Sequence, residues 1–295
     1  MRITILGTSA MLPTKERNPT SIMVEYGKEG ILIDCGEGTQ RQMRIAGIKP
    51  TKITKILISH FHGDHVLGIP GLIQSLGASE YRGTLEIYGP EKSSYYIRNM
   101  LKGFEFRERI KFKIYELKDS KRFFSNKELE IYCKKLKHDI PCLAYSIKEK
   151  DKLKINTDYT KKFGLIKHPL LGKLQQGRSI MYKRNHIDVK KATITKQGKK
   201  ISIVLDTSFD KSIKSFVKNS DLLICDSTWD SKTEKRKGSH LTNLEAATLA
   251  KESVSKKLVL THFSQRYKTV DNLLKETRKK FRNTIAAKDL MKLSI

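Results

Sequence analysis

Three histidines and an aspartate fall within six residues, His60-Phe61-His62-Gly63-Asp64-His65, directly behind the apolar run at 55–59. His60 and His62 are two apart, so an extended backbone puts both imidazoles on one side. Gly63 then permits a sharp turn that carries Asp64 and His65 round to a second position. Neutral imidazole and carboxylate are ligands of Zn²⁺ and related divalent ions. Two such ions side by side can share a bridging water, lower its pKa and clamp a phosphate for in-line displacement. A lone histidine is usually a surface or satisfied core residue. Three with an aspartate at a strand end, in a chain whose only other histidines are His138, His168, His186, His240 and His262, point to metal.

Two metals need more ligands than this cluster supplies. Polar residues close other apolar runs and are the candidates: Asp34 at the end of 31–34, Asp206 after 201–205, Asp226 after 222–225 and His262 after 258–260. His138 ends an alternating, strand-like run and precedes Asp139. Cys133 and Cys142 flank it, but C-x₄-H-x₃-C matches no common zinc spacing, and buried free thiols are expected.

These residues need elements to hold them. Short aliphatic and β-branched runs with polar ends read as buried strands. Helical patterns lie between them, at 38–46, 68–77, 95–104, 243–253 with Thr242 as N-cap, and 270–281, the last basic and amphipathic. Strands alternating with helices predict a layered α/β fold.

The chain has 295 residues, 59 Lys and Arg, 31 Asp and Glu, and a formal charge of +28. That length buries a core without disulfides, and the four scattered cysteines form no C-x-x-C, which fits a reduced, cytoplasmic protein. No apolar run approaches the length of a membrane helix, and the first ten residues read as a strand rather than a signal peptide. The charge predicts a polyanionic partner, nucleic acid before an anionic membrane surface. It is concentrated at 148–200, a polar stretch without clean periodicity that carries sixteen Lys and Arg against four Asp and Glu. This stretch reads as an insertion or arm projecting from the core.

The His60–His65 motif resembles the hallmark of the metallo-β-lactamase fold. Four further segments resemble one family on that fold, tRNase Z, also called ribonuclease Z: Pro13-Thr14-Lys15-Glu16-Arg17-Asn18, Asp34-Cys35-Gly36-Glu37-Gly38-Thr39-Gln40, Gly238-Ser239-His240-Leu241-Thr242 and Thr261-His262-Phe263-Ser264-Gln265-Arg266-Tyr267. Together they span nearly the whole chain. The resemblance implies a single domain over 1–295, an α/β αββα sandwich of two mixed β-sheets with flanking helices. It also implies a flexible arm at about 148–184 as tRNA exosite. It implies one zinc on His60, His62 and His138, a second on Asp64, His65 and His262, and Asp206 bridging them, with Mn²⁺ or Fe²⁺ as alternatives to Zn²⁺. One departure is visible: Leu205-Asp206-Thr207 stands where the family usually has Gly-Asp-Thr.

The implied activity is removal of the 3′ trailer from precursor tRNA near the discriminator nucleotide, by a homodimer in which one subunit's arm holds a tRNA cut in the other. Asp64 is then the candidate general base or a purely structural ligand. His240 is the candidate proton donor or transition-state stabiliser. Lys161, Lys162, Lys167 and Lys173 on the arm, and Lys15 and Arg17 near the site, are candidate phosphate contacts. His168 and His186 read as bystanders or RNA contacts. The alternatives are a hydrolase of small phosphodiesters or thioesters on the same fold, and a non-catalytic RNA binder. The charge and the arm weigh against the first, and the complete ligand set against the second.

Overall fold

A computed structural model describes residues 1–105, 110–232 and 240–295. Gly238 and Ser239 of the late histidine motif therefore lie outside the described residues. Two seven-stranded sheets pack face to face. The first runs, edge to edge, Lys292–Ser294, Arg2–Gly7, Ser21–Tyr26, Glu29–Ile33, Lys55–Leu57, Thr84–Gly89 and Lys111–Glu116. The second runs Thr284–Ala286, Leu258–Thr261, Leu222–Asp226, Lys200–Val204, Cys142–Glu149, Leu129–Leu136 and Lys121–Ser125. Both are mixed, with parallel pairing on one side and antiparallel on the other.

The continuous apolar runs follow from burial on both faces. Ile31 and Ile33 point into the core between the sheets, while Leu32 points outward under the helices Thr39–Ile45 and Ile69–Ala78. Ile201, Ile203 and Ile224 likewise face the centre, and Val204, Leu223 and Cys225 pack beneath Asn243–Glu252 and its neighbours. Helix, sheet, sheet, helix is thus the layer order. Thr242 caps the helix Asn243–Glu252 in a full capping box with Glu245. The four cysteines are buried and free.

The basic stretch at 148–200, which reads as aperiodic in sequence, folds into short elements that run from the strand Lys152–Ile155 to the strand Thr193–Lys196. It leaves the second sheet between Cys142–Glu149 and Lys200–Val204 as a two-stranded ribbon, Lys152–Ile155 against Thr193–Lys196. Beyond the ribbon it carries short helices, a hairpin and a small apolar cluster of Leu165, Leu174, Ile180, Ile187 and Ala192. Its periodicity is obscured because each element is only three to five residues long. Among the described residues no helix is long and apolar enough to cross a membrane.

Candidate metal centre and active site

The candidate residues converge at one end of the sandwich, where strands of both sheets stop. The strand Lys55–Leu57 delivers Ser59 and His60, and Gly63 opens the short helix Gly63–Val66 that turns Asp64 and His65 inward. The segment 34–38 closes over this motif. Cys35 donates its amide to the His65 carbonyl at 2.8 Å, and Gly68 donates to the Cys35 carbonyl at 2.9 Å. A Cβ on Gly36 would stand 2.4 Å from the Asp64 carbonyl oxygen, which explains a glycine there. From the second sheet come Asp206 after Lys200–Val204, Asp226 at the end of Leu222–Asp226, and His262 after Leu258–Thr261. Leu205 buries its side chain between the sheets, so the departure from Gly-Asp-Thr is absorbed in the core.

Two groups of ligand atoms result. His60, His62, His138 and Asp206 form one and Asp64, His65 and His262 the other, with the atoms of each within 4.8 Å of one another. Asp206 faces both: Oδ2 lies 3.7 Å from His60 Nε2, and Oδ1 lies 3.4 Å from His65 Nε2 and 3.2 Å from His262 Nε2. The cluster fits a cation. His65 Nε2, His262 Nε2 and Asp206 Oδ1 are buried without a hydrogen-bond partner, a costly state unless something else satisfies them. Burial alone would lower the pKa of His65 and His262; Asp206, with other nearby carboxylates, overcomes it and holds both imidazoles above their ordinary value. The site therefore draws positive charge. His240 joins Asp206 and His262 in a third, overlapping group.

Of Asp34 and Asp226, both candidates for ligation, Asp34 holds the outer nitrogen of His65, and Asp226 lies beside Nδ1 of His262 and His240. Asp34 Oδ2 accepts from His65 Nδ1 at 2.6 Å and from Ser59 Oγ at 2.7 Å, while Oδ1 accepts the Ser59 amide at 2.6 Å. Asp226 Oδ1 takes the Thr228 amide and hydroxyl at 2.8 and 2.6 Å and lies 3.5 Å from His262 Nδ1. Its Oδ2 accepts the Leu241 amide at 2.9 Å and lies 3.4 Å from His240 Nδ1. Ser59 and Thr228, both missed by sequence reasoning, are each within two residues of a chemistry-bearing neighbour, the only signal available. Asp34 and His262 adopt left-handed backbone, φ 54° and 59°, at a cost of about 1–2 kcal/mol for a residue with a Cβ. The tightly hydrogen-bonded surroundings hold them there.

Outer carboxylates of this kind set tautomer and ring direction. Asp34→Asn is therefore expected to weaken metal affinity about 10–100-fold, read by competition with a chromophoric chelator. An unchanged affinity would show that Ser59 alone suffices to orient His65.

Arg17 Nη2 donates to the Tyr267 carbonyl and its guanidinium lies 5.9 Å from the Phe263 ring, tying the N-terminal loop to the closing motif. Lys15 on the same loop is exposed. Met11, with φ 62°, donates its amide to Asp64 Oδ2 at 2.7 Å, a contact no sequence signal announced. His168 and His186 sit on the insertion; the His168 ring packs against Tyr182 at 5.1 Å, and His186 lies in the strand Asn185–Ile187. Lys161, Lys162, Lys167 and Lys173 are on the insertion too, and all four are exposed.

His240 is the one histidine of the centre whose ring also faces an aromatic wall. Its centroid lies 6.3 Å from Trp229, over which Arg266 stacks at 4.8 Å. Burial alone would lower the His240 pKa; the carboxylates of Asp226 at 3.4 Å and Asp206 at 3.5 Å outweigh it and hold the imidazole above its ordinary value.

A sequence model of the metallo-beta-lactamase superfamily matches residues 14–133. Ribonuclease Z of Prochlorococcus marinus is 35% identical over the full length of both chains. Ribonuclease Z of Nanoarchaeum equitans is 38% identical over 90% of this chain and 84% of its own. The crystal structure of human tRNase Z, short form, superposes with a TM-score of 0.74 at 26% identity, covering 100% of this chain and 99% of that one. With both sheets, the two ligand groups and relatives matched end to end, the chain belongs to the ribonuclease Z family, the endoribonucleases of tRNA 3′ processing built on the metallo-β-lactamase fold.

Proposed function

We propose that the chain removes the 3′ trailer of precursor tRNA as a two-zinc enzyme, cutting a phosphodiester near the discriminator nucleotide. The observation that carries this reading is the convergence of buried, unpartnered His65 Nε2, His262 Nε2 and Asp206 Oδ1 on one centre. A donor set of five imidazoles and two carboxylates suits zinc over the harder Mn²⁺ or Mg²⁺. His60, His62 and His138 would hold one ion, Asp64, His65 and His262 the other, with Asp206 between them. The ions supply an activated water and neutralise the phosphate. Asp64, fixed by the Met11 amide, orients the attacking water and accepts its proton. His240, its basicity raised by Asp226 and Asp206, gives a proton to the leaving ribose oxygen.

The insertion, folded on its own ribbon, would grip the tRNA through backbone phosphates, which lets one protein accept many tRNAs by shape. We assign this role to Lys161, Lys162, Lys167 and Lys173, and a trailer or acceptor-stem contact to Lys15. Arg17 on the same loop is assigned the same contact, its Nη2 also tying the loop to Tyr267. The family resemblance supports a cytoplasmic homodimer in which one subunit's insertion serves the other's site.

The test is cleavage of an internally labelled tRNA precursor with product ends mapped. One cut at the foot of the acceptor stem, lost on chelation and restored by Zn²⁺, is expected. Replacing the four insertion lysines by alanine should raise KM at least tenfold with kcat retained. The slope of log affinity against log salt should flatten by about one for each phosphate no longer engaged. A metal-loaded protein that cleaves only small phosphodiesters would overturn the reading.

A further inference from the structure

An aromatic strip leads away from the metal centre: Phe61 packs partly against the apolar core, and the two tyrosines beyond it are left exposed. Phe61 lies in the chain between His60 and His62, so an extended backbone sends its ring to the side opposite their imidazoles. There it packs 4.8 Å from Tyr96, which in turn lies 5.5 Å from Tyr95. Both tyrosines belong to the helix Ser93–Lys102. That helix is anchored by Ile97, which is fully buried, with Met100 and Leu101 packed against the same cluster. Tyr95 is nonetheless 64% exposed and Tyr96 41%.

The spacing of the exposed residues is informative. Tyr95, Arg98 and Lys102 are three and four apart, so they share one face of the helix. Lys92 stands at its start. Of the nearby carboxylates, Glu116 is occupied with the amides of Lys92 and Ser94, and Glu91 is exposed. An aromatic pair beside three cations is a combination that binds unpaired nucleic acid: bases stack on the rings while the cations track the backbone. A ten-residue helix is about 15 Å long, the span of about four stacked bases.

We propose that Phe61, Tyr96 and Tyr95 form a stacking platform for the single-stranded RNA downstream of the cut, with Arg98 and Lys102 on its phosphates. The inference rests on the endoribonuclease reading above and names the part of the substrate this surface takes. Two observations choose that occupant. The strip is continuous with the metal motif through Phe61, and its charge is complementary to a phosphate backbone. The duplex part of a tRNA hides its bases from such rings; the 3′ extension does not.

The test compares precursors bearing a one-nucleotide and an eight-nucleotide trailer at fixed salt, using the full chain loaded with metal. The ratio of kcat/KM for the long over the short trailer is expected to fall on the order of tenfold in Tyr95→Ala, in keeping with the stacking of a base on an aromatic ring. Tyr95→Phe keeps the ring and should keep the ratio. In the parent protein, 2-aminopurine placed in the trailer should be quenched on binding, and Tyr95→Ala should relieve the quench. An unchanged ratio in Tyr95→Ala, or an equal loss on both trailers, overturns the platform. A loss that tracks dissociation into monomers in sedimentation would make the strip a contact between copies of the chain, and would overturn it too. If the parent protein cuts neither precursor, the endoribonuclease reading itself fails, and that outcome is distinct from all of these.

Discussion

Asp206→Ala should lower kcat/KM for precursor cleavage by at least about 10³-fold, or about 4 kcal/mol of transition-state stabilisation. Among the described residues no other carboxylate divides its two oxygens between the ligand groups. Losing it removes the bridge and leaves His65 and His262 without the carboxylate that most strongly opposes their burial penalty. Metal content, measured by plasma mass spectrometry after gel filtration, should fall with activity. Asp206→Asn keeps the volume and removes the charge, so it separates a packing loss from an electrostatic one. If it retains both metal and turnover, the bridging role is wrong.

His240→Ala is expected to reduce kcat by about 10²–10⁴-fold, the usual range for a positioned acid, with metal content intact. The second half of that expectation matters because His240 Nδ1 lies 3.5 Å from Asp206 Oδ2 and shares a group with His262. A ligand would take metal away with it; a proton donor would not. The pH dependence gives a further sign. A histidine whose pKa is raised in the folded state keeps its proton to higher pH than a free imidazole and loses it as pH rises through that value. The alkaline limb of kcat should therefore lie above the ordinary histidine range. Asp226→Asn removes the raising partner, so the limb should move to lower pH. The same linkage means that the stabilisation from the His240–Asp226 pair is present in acid and fades as pH rises. A limb that stays put in Asp226→Asn would remove His240 from the acid role.

The sequence made the first ligand cluster plain because His60, His62, Asp64 and His65 are local, and a strand followed by glycine places them without tertiary help. Asp206 and His262 were visible as polar residues closing apolar runs. His138 was less so: it lies in the turn between Leu129–Leu136 and Cys142–Glu149, a hairpin tied to the motif by the Leu143 amide on the Ser59 carbonyl at 2.9 Å. Asp34 and Asp226 looked like ligands because type and position are the same for a carboxylate that binds metal and one that binds a histidine. The distinction lies in which nitrogen it meets. Nothing local reveals the tie of Arg17 to Tyr267, 250 residues away. The insertion looked irregular because its apolar residues are spread thinly over short elements and meet only once the ribbon closes.

That separation has a consequence for synthesis. The first four ligands leave the ribosome early, but His262 follows roughly 200 residues later, about 10–40 s at 5–20 residues per second. Asp289, which accepts from Thr8, Asn18 and Gln42, comes later still, as does the edge strand Lys292–Ser294 that pairs with Arg2–Gly7. A nascent chain thus holds an incomplete ligand set until His262 has emerged. Until then the tethered chain has no assembled centre with which to cut the RNA around it.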